Sequence, residues 1–147
     1  MEVMNQKLSS FSIFLLRVSL GWLFFYSGII KIMDQAWSAE SYIRGAKVLP
    51  QLFNFLLDPA VLPYVNLVNK WGLAAIGLSL ILGLFVRWSA VLGAILMVLY
   101  YLPVLQFPFV NNNFFIVDEH IIYALVLLFL ATVGAGQVWG LDRRLER

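Results

Sequence analysis

Long apolar runs constrain this chain more than any other feature of its sequence. The last run follows three ionisable residues, Asp118, Glu119 and His120, and has no further charge until Asp142. A short group of charged residues followed by about 20 apolar residues is typical of a transmembrane helix. The composition agrees, because 62% of the residues are hydrophobic and 12% are charged, where soluble domains have about a quarter charged. We therefore predict an integral membrane protein.

The apolar runs predict one domain, residues 1–147, that crosses the bilayer four times. Each run has roughly the 20 residues that a helix needs to cross the hydrocarbon. We expect the spans at about 11–32, 64–86, 89–105 and 119–136. The connection at Arg87 is very short, so the second and third spans should form an antiparallel hairpin. The predicted fold is all-α, an integral membrane four-helix bundle with short surface helices between spans one and two.

The segment between the first two spans, residues 33–62, is mixed in polarity. From Tyr42 to Leu56 its apolar residues recur at approximately helical spacing. One or two short amphipathic helices could lie on the membrane surface. A packed extramembrane cap on the bundle fits the same pattern, and the sequence leaves both alternatives open.

Basic residues at the two ends of the bundle suggest an orientation. Cytoplasmic segments carry an excess of Lys and Arg. The side with the termini has five such residues and the other has four. The five are Lys7, Arg87, Arg143, Arg144 and Arg147, and the four are Lys31, Arg44, Lys47 and Lys70. We expect a multi-pass protein of the inner (cytoplasmic) membrane, with both termini cytoplasmic and the insert 33–62 outside.

Several chemistries are excluded by composition. The chain has no cysteine, which removes disulfides, thiolate nucleophiles, iron–sulfur clusters and c-type haem. Its single histidine cannot supply the two ligands of a b-type haem. No metal-ligand spacing and no phosphate-binding loop is present, so we expect neither a metal nor a nucleotide. A net charge of +2 gives no reason to expect nucleic acid.

A polar cluster near the outer ends of the spans is the main candidate for chemistry. Its members are Lys31, Asp34, Lys70, Asp118, Glu119 and His120. Such a cluster could receive the head group of a quinone, with tyrosine and tryptophan rings nearby. Imidazole can donate to or accept from a quinone oxygen near neutral pH. The same residues would also serve as interfacial anchors and helix caps, and the sequence does not decide between the two.

Arg17 is the one charge well inside a predicted span. An intramembrane charge is costly, and by default it marks a functional site. The alternative is structural: the side chain could extend to the inner surface or pair with Asp142 or Glu146.

Ordered motifs along the chain resemble those of a known family. They are Arg17-x-x-Leu20-Gly21-x-x-x-Phe25-x-x-Gly28-x-x-Lys31, Gly77-x-Ser79-Leu80-x-Leu82-Gly83-Leu84-x-x-Arg87, Asp118-x-His120-x-x-Tyr123-Ala124, Gly134-Ala135-Gly136 and Gly140-Leu141-Asp142. In this order and with these loop lengths, the sequence resembles the DoxX/DoxD family of small membrane proteins. The resemblance implies a four-helix membrane bundle. It also implies an association with thiosulfate:quinone oxidoreductase in some members, and with oxidative-stress or sulfur-handling partners in others.

We therefore predict a DoxX-like membrane subunit of a quinone-linked oxidoreductase that docks a redox partner. The expected catalytic residues are His120, to exchange a proton with the quinone, Lys31, to stabilise negative charge, and Asp118, to orient His120. The expected quinone-binding residues are Arg17, Tyr26, Trp71 and Tyr123. Two alternatives remain: a non-catalytic scaffold or assembly factor for a redox or stress partner, and a small-molecule or lipid carrier. A homo-oligomer is compatible with each of them.

Overall fold

A computed structural model describes residues 2–110 and 114–145 of the chain. The helices in these residues are α1 (Glu2–Met33), α2 (Glu40–Arg44), α3 (Pro50–Leu56), α4 (Leu62–Leu82), α5 (Val86–Val104), α6 (Glu119–Thr132), a 3₁₀ helix (Ala135–Gln137) and α7 (Asp142–Leu145). Three two-residue strands, β1 (Leu105–Gln106), β2 (Phe109–Val110) and β3 (Phe114–Phe115), pair antiparallel in the order β1-β2-β3 between α5 and α6.

Helices α1, α4, α5 and α6 form the bundle. The most extensive contacts join α1 to α4 and α5 to α6, and α4 also packs on α5. Phe24, Leu80 and Leu127 are fully buried in the core. Large apolar side chains such as Trp22 and Leu92 cover the outer faces instead of polar ones, as expected where lipid is the solvent. The prediction of an all-α membrane bundle is confirmed.

Helix lengths differ from the predicted spans. Three helices, α1 from Gln6 onward, α4 and α5, are long and apolar enough to cross a membrane. Helix α6 has 14 residues, roughly 21 Å at the helical rise, so it is shorter than the predicted span 119–136. It ends early because Gly134 takes a left-handed conformation (φ +62°) and the chain continues as the 3₁₀ helix. In α4, Gly83 (φ +70°) likewise ends the helix before residue 86.

Small residues set the spacing of α1 and α4. A Cβ added to Gly28 would overlap the backbone of Ala74, and one added to Gly21 would meet Ile81 and Leu80. Close approach through glycine is the usual basis of helix association in membranes. The antiparallel alignment puts the end of α1 that carries Lys31 beside the start of α4, and Arg17 beside the end of α4 at Gly83.

The insert packs on the bundle as a cap. Ala39, Ile43 and Phe53 form a buried apolar cluster with Val65 of α4 and Leu102 of α5. The Asn66 side chain accepts a hydrogen bond from the Ala39 backbone N–H at 2.9 Å. The insert contains the predicted short helices, α2 and α3, and they pack on the bundle as a cap. The bundle therefore has two distinct ends, which we call the His120 end, beneath the cap, and the Arg17 end, where α4 ends and α7 begins.

Candidate functional site

Two cavities adjoin at the His120 end. The inner cavity, about 190 Å³, lies between α1, α4, α5 and α6, and Ser27, Glu119 and Tyr123 are among its lining residues. The outer cavity, about 370 Å³, lies under the cap, where Trp37 and Ser38 line it. Three residues, Lys31, Tyr100 and His120, line both cavities. These three side chains form the boundary between the cavities and are the centre of the candidate site.

His120 is held by the start of its own helix. Asp118 caps α6 by accepting from the backbone N–H groups of His120 at 3.0 Å and Ile121 at 3.3 Å. Its second carboxylate oxygen lies 2.6 Å from His120 Nδ1, and Asp118 is only 3% exposed. The carboxylate therefore fixes the ring and favours a proton on Nδ1. Nε2 is the ring nitrogen that remains for a ligand.

Lys31 brings a positive charge to the same place from the last turn of α1. Its Nζ lies 5.3 Å from the centre of the Trp37 ring and 5.5 Å from that of Tyr100. Attraction to aromatic faces of this kind is worth about 0.5–2 kcal/mol. Within residues 2–110 and 114–145, no carboxylate lies within 4.0 Å of Nζ. The ammonium group is thus positioned by rings and can still donate to an oxygen in either cavity.

Tyr100 connects the bundle to the cap. Its hydroxyl donates to Asn69, which is itself buried in α4. Its ring packs edge to face with the His120 ring and with the Tyr42 ring. The distances between ring centres are 6.1 Å to His120 and 5.9 Å to Tyr42. The Tyr42 hydroxyl in turn donates to the Tyr100 carbonyl at 2.6 Å. Burial, assisted by Asp118 and Glu119, raises the pKa of Tyr42 to about 12, so this hydroxyl remains a donor at neutral pH.

The structure brings together four of the seven predicted site residues. Lys31, His120 and Tyr123 line the cavities, and Asp118 holds His120. Tyr26 and Trp71 do not line these cavities. They are more than half exposed on the outside of the bundle, where Tyr26 stacks on Trp22. Their predicted contact with a quinone head at His120 does not fit this placement. Similar depth in the membrane does not fix the helix face on which a side chain lies, and both rings lie on the outer faces of their helices.

Arg17 is at the other end of the molecule. It lies 14 residues before Lys31 in α1, roughly 21 Å along the helix axis, so it cannot share a ligand head with His120. The guanidinium is fully buried and donates to the carbonyls of Ala135 at 3.1 Å and Trp139 at 3.4 Å. The nearby Asp142 accepts from the backbone N–H groups of Phe85 and Val86. Arg17 therefore joins the middle of α1 to the turns around Ala135 and Trp139, which corrects its assignment to the quinone site.

Sequence reasoning missed several lining residues. Trp37, Ser38 and Tyr42 come from the insert, whose position over the bundle cannot be inferred from periodicity. Asn69 did leave a signal, since an asparagine inside an apolar span is costly unless it is bonded. In the structure it is bonded to Tyr100 and to the Val65 carbonyl.

The fold and the site define the class of protein, which is a multi-pass helical membrane protein with a polar cavity, partly lined by aromatic rings, at the His120 end. A family model described as DoxX matches residues 12–105, more than half of the chain. The chain belongs to the DoxX family. No curated protein and no solved structure matches it. The matched region supplies Lys31, Trp37 and Tyr100, and Asp118 and His120 lie beyond its end.

Proposed function

We propose that this DoxX-family membrane protein is the membrane subunit of a quinone-linked oxidoreductase, and that it binds the quinone head at the His120 end. The observation that carries the proposal is the convergence of Lys31, Tyr100 and His120 on the boundary of two adjoining cavities. A cationic donor, an imidazole and aromatic rings in one place form an unusual set for a membrane bundle. Polar and ionisable groups within membrane helices mark functional sites by default.

The lining residues fit a quinone head in shape and polarity. Such a head is a flat ring with two carbonyl oxygens, which accept hydrogen bonds and, on reduction, two electrons and two protons. Trp37 and Tyr100 offer ring faces or edges for stacking. Lys31 Nζ offers a donor to a quinone oxygen, and His120 Nε2 offers a donor when the imidazole is protonated and an acceptor for a quinol hydroxyl when it is neutral.

Each polar residue has a distinct role in this proposal. When the imidazole is protonated, His120 Nε2 donates a hydrogen bond or a proton to one quinone oxygen, and Asp118 keeps the ring in place through Nδ1. Lys31 stabilises the negative charge that develops on an oxygen during reduction. Asp118 acts through His120 and is a positioning residue.

Electrons would come from a redox partner. The chain has no cysteine and one histidine, too few ligands for iron–sulfur or bis-histidine haem centres of its own. We place the protein in the cytoplasmic membrane with the His120 end outside, so the partner would supply electrons from that side.

Quinone binding to the purified protein in nanodiscs tests this proposal. A water-soluble quinone with one isoprene unit is titrated by equilibrium dialysis into the wild type, Lys31→Met and His120→Phe. Loss of a hydrogen bond to a charged group should weaken binding by roughly tenfold or more in each variant. Lys47→Met is the matched control, because Lys47 is an exposed lysine of the same end that is bonded to Gln106. Absence of saturable wild-type binding, or a Lys31→Met affinity equal to that of the control, would overturn the proposal.

A scaffold function is the second candidate. The cap exposes Leu49, Leu52 and Phe55, apolar side chains that a partner subunit could cover. Absence of quinone binding in the experiment above would favour this function. A carrier function has less support, because the glycine contacts between α1 and α4 are too close for a lumen between these helices.

A further inference from the structure

A third cavity lies on the other side of Tyr100 from the charged groups. It measures about 290 Å³ and is enclosed by the cap, α4 and α5. Apart from Tyr42, Tyr64, Asn69 and Tyr100, its lining residues carry no polar side-chain group. Representative members are Phe53, Leu56, Val65, Val68, Leu96 and Leu99. We call it the apolar cavity.

The apolar cavity and the outer cavity share a wall. Ala39, Tyr42, Asn69 and Tyr100 line both of them. Two of these residues, Tyr42 and Tyr100, meet edge to face and are tied by the hydrogen bond from the Tyr42 hydroxyl to the Tyr100 carbonyl. Tyr100 is the residue common to the inner, outer and apolar cavities. Polarity therefore changes sharply across one pair of tyrosines.

The apolar cavity also reaches the surface of the bundle. Tyr64, Val68 and Leu99 line it and are exposed on the outer faces of α4 and α5. In a bilayer these faces meet the hydrocarbon or its boundary with the head groups. An amphiphile that enters between Val68 and Leu99 would meet the apolar cavity first, then the tyrosine pair of the shared wall, and then Lys31 and His120.

We propose that the apolar cavity binds the isoprenoid tail of the quinone whose head occupies the outer cavity, with the tail leaving to the bilayer past Val68 and Leu99. This inference rests on the proposed function and adds the site for the rest of the molecule. An amphiphile with a flat polar head and a flexible apolar tail matches the order of these surfaces. Tyr42 and Tyr100 contact the junction of head and tail and select for a flat group on the charged side.

Tail length separates this inference from the proposed function. Quinones with no, one or three isoprene units are titrated into the detergent-solubilised full-length protein. The variants are Leu96→Trp and Leu56→Trp, which place a larger side chain in the apolar cavity from α5 and from the cap. Leu92→Trp is the matched control, since Leu92 lies one turn before Leu96 on α5, is exposed and lines none of the three cavities. Dividing each affinity by that of the control removes the partitioning of longer tails into detergent.

The filled cavity should affect only quinones with tails. We expect Leu96→Trp and Leu56→Trp to bind the three-unit quinone roughly tenfold more weakly than the control, and to bind the tail-free quinone as the control does. Equal weakening for all tail lengths, or no weakening in either variant, would overturn the tail site while leaving head binding intact. No binding of any quinone by the wild type would overturn both proposals. Two variants on different elements keep the test valid if one of them does not fold, as judged by gel filtration.

Discussion

The Asp118 carboxylate has two roles, as the cap of α6 and as the partner of the His120 ring, and substitution can separate these roles. One oxygen caps α6, and the other meets His120 Nδ1 at 2.6 Å. Asparagine caps helices as well as aspartate does, whereas alanine costs about 1 kcal/mol. We expect Asp118→Asn to keep the free energy of unfolding within about 0.5 kcal/mol of the wild type, and Asp118→Ala to lower it by about 1 kcal/mol or more. Reversible unfolding in detergent and urea measures both.

Quinone affinity should follow a different order from stability. Both variants remove the negative charge beside the imidazole, so we expect both to weaken binding of the one-unit quinone by several-fold or more. If Asp118→Asn binds like the wild type, the carboxylate is only a helix cap and does not position His120 for a ligand.

Single residues also show where sequence reasoning succeeds and where it fails. The polar cluster near the outer ends of the spans could be assembled from the sequence because span ends on one side of a membrane must lie at similar depth. That argument places Lys31 and His120 together but does not give the direction in which Tyr26 or Trp71 points. The energetic cost of a buried charge was the only sequence argument for Arg17, and the carbonyls that accept from its guanidinium, Ala135 and Trp139, are too far along the chain to be paired by pattern.

Among the elements, the contact between α1 and α4 controls the geometry of the site. A Cβ on Gly28 would lie 2.4 Å from the Ala74 nitrogen, so the two helices must separate to accept it. We expect Gly28→Ala to lower the free energy of unfolding by about 1–3 kcal/mol, as overpacking does in other cores. The unfolding measurement used for Asp118 also checks this expectation.

Gly72→Ala is the matched control for Gly28→Ala. A Cβ there would have an ordinary contact with Val68 at 3.8 Å, and alanine is favoured over glycine within a helix by about 1 kcal/mol. This variant should be neutral or stabilised. Equal destabilisation of the two would mean that loss of glycine itself, and not the approach of α1 to α4, sets the cost.

The existence and order of the long helices were predictable, while their ends and the small elements were not. Hydropathy fixes which segments prefer lipid, but Gly83 and Gly134 end helices through left-handed conformations that leave no mark on hydropathy. The strands β1, β2 and β3 depend on pairing between neighbouring segments, which apolar periodicity does not reveal, so the sequence predicts only a connection between spans three and four there.

For the whole molecule, the cavities lined by Lys31 and His120 lie at one end and the buried Arg17 lies at the other. The His120 end has a cationic donor and an imidazole, and the cap covers it. The Arg17 end is tied together by hydrogen bonds from Arg17 and to Asp142. In our proposal the bundle binds the quinone head at the His120 end only. Its orientation therefore decides which compartment gives or receives the protons.

The orientation can be measured because the chain has no cysteine, so each introduced thiol is the sole site of labelling. Phe107→Cys places one on the exposed turn between β1 and β2 at the His120 end, and Leu145→Cys places one at the exposed end of α7. Neither removes a basic residue, so the five-to-four excess on the terminal side is unchanged. Because that excess favours cytoplasmic termini, a membrane-impermeant maleimide should label Phe107→Cys in intact spheroplasts, and Leu145→Cys only after permeabilisation. The reverse pattern would place the His120 end in the cytoplasm, and a redox partner would then have to dock from inside the cell.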